Sequence, residues 1–317
     1  MEIGAILVKA VVIMAGINAL TWGIVCWGKI FKNPSLMLQN PYYESRGKTK
    51  LLNLVQFLVV GFIMFGDTLG IGGNAPHTAL MKLTKCTDER LFPGTLNTAS
   101  LMGSATETML FVSTVAVDPL TLVCLIAAVT IGTKLGAKYT SKLPLRPIRF
   151  IIGFGLAVVT VTMILRNLNL WVAGGMAIGI SGISLVIATI LFFIVGILAA
   201  GGVGGYAFMI AICYGFGMDP RCAFPIMFGS YTFLMLASGL TFLKNDALDY
   251  RANLFGNIGG VVGVILAYTI FKSMPINVLF WVIVVVLFYT SATTLYHAFR
   301  NTDNKVQERK EEVPAAE

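Results

Sequence analysis

Charged side chains are scarce in this sequence, at 12% of 317 residues, against about 25% in an ordinary soluble domain. Hydrophobic residues make up 56%. So few charged groups cannot cover a soluble surface, which excludes a soluble enzyme or binding domain. Histidine is nearly absent, with only His77 and His297, whereas haem or quinone chemistry uses several intramembrane histidines. A membrane enzyme is therefore the least favoured class, and no metal or cofactor is expected.

The paired-cysteine motif CxxC, the nucleotide-binding Walker A motif and the pattern of a cleavable signal peptide are also missing. No CxxC spacing occurs, so the cysteines are expected to pack as small apolar side chains. They are Cys26, Cys86, Cys124, Cys213 and Cys222. No Walker A pattern appears, so ATP is not hydrolysed through that motif. Glu2 replaces the basic start of a signal peptide, and Ile3–Trp27 is long enough to span a bilayer, which argues against cleavage.

Long apolar runs are what the chain has in abundance. The block from Leu168 to Met218 contains no charged residue, and about 20 apolar residues suffice to cross a bilayer as a helix. Ten apolar segments are predicted. They are Ile3–Trp27, Leu51–Thr84, Thr95–Val117, Pro119–Thr140, Pro147–Leu165, Leu170–Ala188, Ile190–Gly217, Ala223–Leu243, Tyr250–Phe271 and Ile276–Phe299. The sequence therefore predicts an all-α, polytopic bundle of transmembrane helices in the cell membrane.

Basic residues exceed acidic ones by 23 to 15, a net charge of +8. They lie in short loops beside apolar segments, which indicates membrane orientation and contact with lipid headgroups rather than nucleic-acid binding. Loops near Lys82 and Lys134 and the polar tail 300–317 are predicted to be cytoplasmic. The cluster between Lys29 and Lys50 fits this scheme only if Leu51–Thr84 dips into the membrane and returns, with the N-terminus outside. Both topologies remain open at this point.

Two apolar segments are interrupted by glycine clusters. Leu51–Thr84 is divided between Gly66 and Asn74, and Ile190–Gly217 is divided between Gly201 and Gly205. Glycine weakens a helix interior, so each cluster is expected to open its helix into two halves. The alternative is that the glycines only permit close packing of helices.

The interruptions belong to an internal repeat. An offset of 131 or 132 residues superposes seven punctuating positions. The pairs are Asp88 with Asp219, Asp118 with Asp249, Gly132 with Gly263, Pro144 with Pro275, Gly72 with Gly204, Gly73 with Gly205, and Pro93 with Pro225. Residues 1–50 are assigned to an N-terminal transmembrane helix and basic loop, 51–166 to the first repeat and 170–299 to the second. Equivalent loops have opposite charge character, which predicts inverted repeats.

Opened helices in a membrane are tolerated where they line a cavity or are covered by protein. Two openings in inverted repeats would meet near the midplane, with the half-helices starting near Asn74 and Tyr206 pointing free N–H groups at one place. Helix N-termini carry partial positive charge and bind anions. The sequence therefore predicts a small-anion site formed by Gly72, Gly73 and Asn74 together with Gly204, Gly205 and Tyr206.

Carboxyl groups inside membrane segments suggest a coupling function. Asp67 lies in the first opening and Glu107 lies midway along a span, so both are candidates for carrying a proton. Helix capping by Asp67 and helix-to-helix hydrogen bonding by Glu107 are the alternatives. Arg90 and Arg221 precede equivalent spans and could attract anions at the two mouths, or serve as ordinary interfacial anchors.

Neutral polar residues near the openings could contact an oxyanion or simply join helices. The substrate-binding candidates in this group are His77, Asn97 and Ser230, with Thr232, Asn253 and Asn257 as further donors.

The glycine clusters and the prolines that follow them are similar to motifs of a known transporter family. The GxGG-type clusters Gly70–Gly73 and Gly202–Gly205, a proline about twenty residues later and the near-copy in the second half resemble the TauE/SafE sulfite exporter family from Leu51 to Phe299. The resemblance implies transport of sulfite, organosulfonates such as sulfoacetate, or related anions. Asn74 and Tyr206 stand where the family often has a further glycine, so a different anion could be selected.

The expected function is secondary transport of a small sulfur-containing or carboxylate anion, with proton coupling as an option. An anion channel that uses the same site is the alternative, and homo-oligomer formation is left open. Inverted repeats favour alternating access over a permanent pore.

Overall fold

The computed structural model describes residues 2–38, 49–70, 73–139, 175–200 and 205–299, with scattered positions between 150 and 168. The tail 300–317, Gly72 and Gly204 lie outside the described residues. Within the described part, every named element is helical. Helix α1 (Glu2–Trp22) continues through a π-helical turn (Gly23–Trp27) into α2 (Gly28–Lys32).

Among the remaining helices of the first half, two have 20 and 21 residues and the others are shorter. These helices of the first half are α3 (Thr49–Thr68), α4 (Asn74–Thr84), α5 (Phe92–Thr98), α6 (Leu101–Thr114) and α7 (Pro119–Tyr139). A short apolar helix at Leu156–Leu165 follows. The second half contains α8 (Gly182–Ala200), α9 (Tyr206–Gly215), α10 (Pro220–Lys244), α11 (Tyr250–Ser273) and α12 (Ile276–Phe299).

Six helices of the described residues are long and apolar enough to cross a membrane. They are Ile3–Lys32, Lys50–Thr68, Pro119–Gly136, Gly182–Ala199, Pro220–Lys244 and Tyr250–Ser273. The all-helical membrane class expected from composition is thereby confirmed.

The helix boundaries differ from the predicted segments first at α8. Helix α8 runs through the expected boundary between Ala188 and Ile190, and residues 175–181 before it are not helical. Gly182 begins the helix with a φ of +62°, a left-handed value that favours glycine. Hydropathy could not mark this start, because the surrounding block is apolar throughout.

A second difference is a break inside the predicted span Thr95–Val117. Helix α5 ends at Thr98 and α6 begins at Leu101. The side chain of Asn257 on α11 supplies the missing partners: its Nδ2 donates to Thr98 O over 2.9 Å, and its Oδ1 accepts from Met102 N over 2.8 Å. Asn257 thus satisfies backbone groups that an unbroken helix would pair internally.

Helix pairs in the two halves make the same close contact. A Cβ on Gly263 of α11 would lie 2.0 Å from the carbonyl oxygen of Gly61 on α3. At the equivalent positions, a Cβ on Gly132 of α7 would lie 2.2 Å from the carbonyl oxygen of Phe193 on α8. Both glycines are needed because backbone occupies the space that a side chain would fill.

Contacts also sort the loops into two ends of the bundle. At the first end, Gln56 Nε2 donates to Cys86 O and Thr87 Oγ1, each over 2.9 Å, so the start of α3 lies beside the end of α4. Asp249 N donates to Thr95 Oγ1 at the same end, over 2.9 Å.

At the second end, Asp118 N donates to Ile178 O over 2.8 Å, which brings the start of α7 beside the start of α8. Asp219 N donates to Ala177 O over 2.9 Å, which adds the loop after α9. The pair α3–α4 therefore has both of its ends at the first end of the bundle, and α8–α9 has both at the second.

Candidate functional site

The inner tips of the two helix pairs meet in the centre of the protein. Tyr206, the first residue of α9, donates its hydroxyl proton to Asp67 Oδ2 near the end of α3, over 2.8 Å. Both side chains are buried. The turn after α3 contains Gly70, whose φ of +91° is accessible to few other residues. A positive-φ glycine thus terminates the helix just after Asp67.

The N-terminal ends of α4 and α9 are both close to protein side chains. A Cβ on Gly73, directly before α4, would lie 3.2 Å from Asp67 Oδ1. Gly205, directly before α9, donates its N–H to the hydroxyl of Tyr231 on α10, over 2.8 Å. The helix ends that the sequence predicts as anion sites are therefore contacted by a carboxyl group and a phenol.

Aromatic contacts hold Tyr206 in place. Its ring centroid lies 4.3 Å from that of Tyr231 at an interplanar angle of 76°, and 5.9 Å from that of Phe228 at 83°. Edge-to-face packing of this kind fixes ring orientation. The hydroxyl of Tyr206 is thereby directed at Asp67.

Glu107 on α6 joins the same centre through Thr68. Thr68 Oγ1 lies 2.7 Å from both Glu107 Oε1 and Met64 O. A hydroxyl has one proton, so it can donate to only one of these oxygens at a time. Both contacts become hydrogen bonds together only when the carboxyl of Glu107 carries a proton and donates to Thr68.

Neither carboxyl has a basic partner among the residues that the structure describes; the ion pair found there is between Lys29 and Asp246. Glu107 Oε2 and His77 Nε2 are buried, and no described residue supplies a hydrogen-bond partner to them. Burial of two unpaired carboxylates is costly. We call the group Asp67, Thr68, Glu107 and Tyr206 the central cluster.

A string of hydroxyls extends the cluster between α6 and α10. Thr108 and Thr232 share a hydrogen bond of 2.8 Å, and Thr232 donates to Ser104 Oγ over 3.2 Å. All three residues are buried. Thr232, suggested by the sequence as a donor, thus joins two helices.

The other neutral candidates already donate hydrogen bonds to the protein. Asn97 Nδ2 donates to Pro93 O over 2.8 Å, and Ser230 Oγ donates to Ile226 O over 2.7 Å, each within its own helix. Asn253 Nδ2 donates to Thr98 Oγ1 over 2.6 Å, which is helix-to-helix bonding. Contact of Asn97 and Ser230 with a substrate stays a prediction.

The two arginines occupy equivalent turns at opposite ends of the bundle. Arg90 N donates to Asp88 Oδ1 and Arg221 N donates to Asp219 Oδ1, each over 2.9 Å. Both side chains are exposed, and their attraction of anions remains a prediction. The backbone of Asn74 begins α4, but its side chain is outside the described part of the structure.

Tyr231 and Thr68 are contributors that the sequence reasoning missed. Tyr231 adjoins the candidates Ser230 and Thr232, and Thr68 directly follows Asp67. Their position next to predicted site residues was the one sign of this in the sequence. The hydrogen-bond partners of the Tyr231 and Thr68 hydroxyls lie on other helices or loops and could not be inferred from it.

The central cluster is closed in this conformation. One cleft of about 260 Å³ is lined by residues such as Val8, Val112 and Pro225. Another, of about 590 Å³, lies around Asp118 and Met176. Neither is lined by a residue of the central cluster, which is enclosed by α3, α6, α9 and α10.

These features define a polytopic helical membrane protein with a buried polar centre where α3, α6 and α9 meet. The family model of the sulfite exporter TauE/SafE matches residues 187–316. Over these residues, which include the second glycine cluster, the match confirms the resemblance of the chain to this family of membrane transporters. Searches of curated proteins and of solved structures gave no match.

Proposed function

We propose that the protein is a secondary transporter of a small anion, such as sulfite, an organosulfonate or a related sulfur-containing or carboxylate anion. The anion binds between the first turns of α4 and α9, where Gly73, Asn74, Gly205 and Tyr206 offer N–H and O–H donors. The family match supports the class of substrate.

The observation that carries the proposal is the hydrogen bond between Tyr206 and Asp67. It joins the tips of two interrupted helices that are far apart in sequence and enter from different ends of the bundle. Such a meeting of helix N-termini is the arrangement in which transporters hold anionic groups. The enclosure of the cluster supports a carrier, in which access alternates, over a continuously open channel.

Inverted repeats are part of the proposal. In support, α3–α4 has both ends beside Gln56 and Cys86, whereas α8–α9 has both ends beside Asp118 and Ala177. The glycine contacts between α3 and α11 recur between α7 and α8. In this arrangement both pairs dip into the membrane and return, and the N-terminus lies outside with the C-terminus in the cytoplasm.

The direct test is flux into proteoliposomes with a panel of sulfite, thiosulfate, sulfoacetate, taurine, sulfate, formate and oxalate. We expect saturable uptake of at least one sulfur-containing anion, with counterflow. Linear flux that does not saturate would contradict the carrier and favour a channel.

Variants at the helix ends test the location of the site. Gly73→Val and Gly205→Val should abolish anion binding without preventing membrane insertion, because the added side chains crowd the helix N-termini. Cβ atoms there would lie 3.1 Å from Ile63 and from the Tyr231 hydroxyl, respectively. Gly215→Val is the matched control, since a Cβ on Gly215 meets nothing within 4 Å. Equal loss of binding in all three variants would refute the location.

A further inference from the structure

We infer that Asp67 is a tethered carboxylate that occupies the place of the transported anion, so that the anion can bind only together with a proton on Asp67. This inference rests on the proposed function and specifies how its site is regulated. It assigns symport of one proton with each anion, whereas the proposed transporter by itself requires no particular coupling.

One carboxyl oxygen of Asp67 is held as an oxygen of a bound anion would be, and the other, Oδ1, is buried without a hydrogen-bond partner among the described residues. Its Oδ2 accepts the hydroxyl of Tyr206 at the start of α9, and its Oδ1 lies 3.2 Å from the Cβ position of Gly73 at the start of α4. A carboxylate is thus placed at the meeting point of two helix N-termini, which favour negative charge. Those are the groups that a transported oxyanion would need.

Among the residues that the structure describes, none places a fixed positive charge beside Asp67. The titratable groups that face it are Tyr206 on α9, Tyr231 on α10 and Glu107 on α6, with His77 one turn beyond Gly73 on α4. Two negative charges, one on Asp67 and one on the substrate, would therefore repel each other in a buried space. Neutralisation of Asp67 removes that repulsion.

Unused hydrogen-bonding groups are the second, independent observation that points to a ligand. Glu107 Oε2 and His77 Nε2 are buried without a hydrogen-bond partner among the described residues. Buried polar atoms rarely lack a hydrogen-bond partner, and a proton, a water molecule or a ligand can supply one. The central cluster can therefore form hydrogen bonds to a ligand in addition to the bond that Asp67 makes.

The repeat limits the stoichiometry. The position equivalent to Asp67 in the second half, 132 residues later, is Ala199. Asp67 therefore has no counterpart at the tip of α8, and it contributes one proton for each anion.

The transport cycle follows from this exchange. A proton from the aqueous phase adds to the carboxylate of Asp67, which then stops competing for Tyr206 and the end of α4. The anion takes up the vacated donors. On the other side the anion leaves, Asp67 returns its proton to water, and the carboxylate binds again to Tyr206.

The test uses purified full-length protein and sulfoacetate, whose carboxyl group stays ionised between about pH 5.5 and about pH 8. Wild-type protein should bind sulfoacetate more weakly as pH rises, by up to about tenfold per pH unit for one linked proton. Asp67→Asn should bind with the affinity that wild type has at low pH and should lose the pH dependence. Asp88→Asn, which changes a carboxyl in the loop after α4, should keep the wild-type pH dependence.

A measurement on wild type alone covers the case in which Asp67→Asn does not fold. Binding of sulfoacetate at about pH 8 in a weakly buffered solution should take up close to one proton per anion, and the uptake should decrease as pH is lowered. Binding without proton uptake, or an Asp67→Asn variant that keeps the pH dependence, overturns the inference and leaves the proposed transporter intact. Failure of wild type to bind any anion of the panel overturns both.

Discussion

The helix pairs α3–α4 and α8–α9 make similar packing contacts but differ in chemistry. At the tip of α3–α4 the chain has Asp67 and Thr68, whereas the equivalent positions of α8–α9 are Ala199 and Ala200. His77 in α4 likewise corresponds to Met209 in α9. The first pair carries the acid–base groups, and the second supplies Tyr206 to contact them.

The packing that supports the two tips is nevertheless alike. A Cβ on Gly73 would meet Ile63 at 3.1 Å, and a Cβ on Gly205 would meet the equivalent Val195 at 3.3 Å. The helix contacts at the two tips are therefore similar, although the polar residues differ. Variants at paired positions can separate the shared scaffold from the specialised chemistry.

The largest effect is expected at the shared glycine contacts. Gly132→Ala and Gly263→Ala each place a methyl group about 2 Å from a backbone carbonyl oxygen, so the helices must move apart at a cost of about 3 kcal/mol. Thermal unfolding in detergent should show a similar loss for both variants. Gly28→Ala, where no atom lies within 4 Å of the Cβ position, should unfold like wild type. A loss at one glycine alone would break the equivalence of the two halves.

The next effect concerns a difference between the halves. Asn257 bridges the break between α5 and α6, whereas the equivalent residue, Ile126, faces the unbroken helix α10 near Gly229. Asn257→Ile should leave the N–H of the half-buried Met102 and the carbonyl of Thr98 without their partner, at a cost of about 2 kcal/mol. The melting temperature of this variant should be compared with that of Ile126→Val, a conservative change at the equivalent position. The difference measures how much more the first position contributes to stability. Equal stability of Asn257→Ile and wild type would contradict the role of the amide.

A smaller and equal effect is expected at the equivalent helix starts. Asp249 accepts N–H bonds from Arg251 and Ala252 at 3.0 and 3.1 Å, and Asp118 accepts one from Thr121 at 2.8 Å. Asp249→Ala and Asp118→Ala should each lower stability by about 1 kcal/mol. Asp→Asn at either position should retain most of the stability, since an amide oxygen also caps. Unchanged melting temperatures in the alanine variants would disprove the capping.

The smallest effect on stability is expected from an ion pair in the loop after α10, which has no counterpart at the equivalent position of the first half. Asp246 pairs with Lys29, whereas the equivalent residue of the first half is Val115. The hydrogen bond from Lys29, with a second from Tyr250, lowers the pKa of Asp246 below its usual value of about 3.9. The pair therefore stabilises the fold above about pH 4, and this contribution is lost as pH falls through the lowered pKa.

Lys29→Met should remove that contribution, about 0.5 kcal/mol at low salt, and should flatten the decrease of melting temperature below about pH 4. Lys32→Met, at an exposed position of the same helix end, is the matched control and should keep the decrease. An identical acid profile in both variants would show that the ion pair has no effect.

Parts of the site could be predicted from sequence because local chemistry marks them. Asp67 interrupts an apolar segment beside a glycine cluster, and Tyr206 starts the helix after another, so both stand out without a structure. The register of the repeat also singled out Gly132 and Gly263, which the structure places on carbonyl oxygens.

Other parts could not be predicted because they depend on neighbours distant in sequence. The partner of Glu107 is Thr68, and the break after Thr98 is supported by Asn257, 159 residues away. The start of α8 at Gly182 was missed because an uninterrupted apolar block gives hydropathy no boundary to detect.

The sequence by itself determined the all-helical membrane class, because that follows from composition along one chain, and it predicted the glycine interruptions and the repeated register from local motifs. Only the tertiary structure decided which donor and acceptor groups are already in use. Tyr206 and Asp67 are 139 residues apart, and their hydrogen bond depends on how α3 and α9 approach each other. That approach places a carboxyl group of the protein at the helix ends where the sequence alone predicted a free anion site.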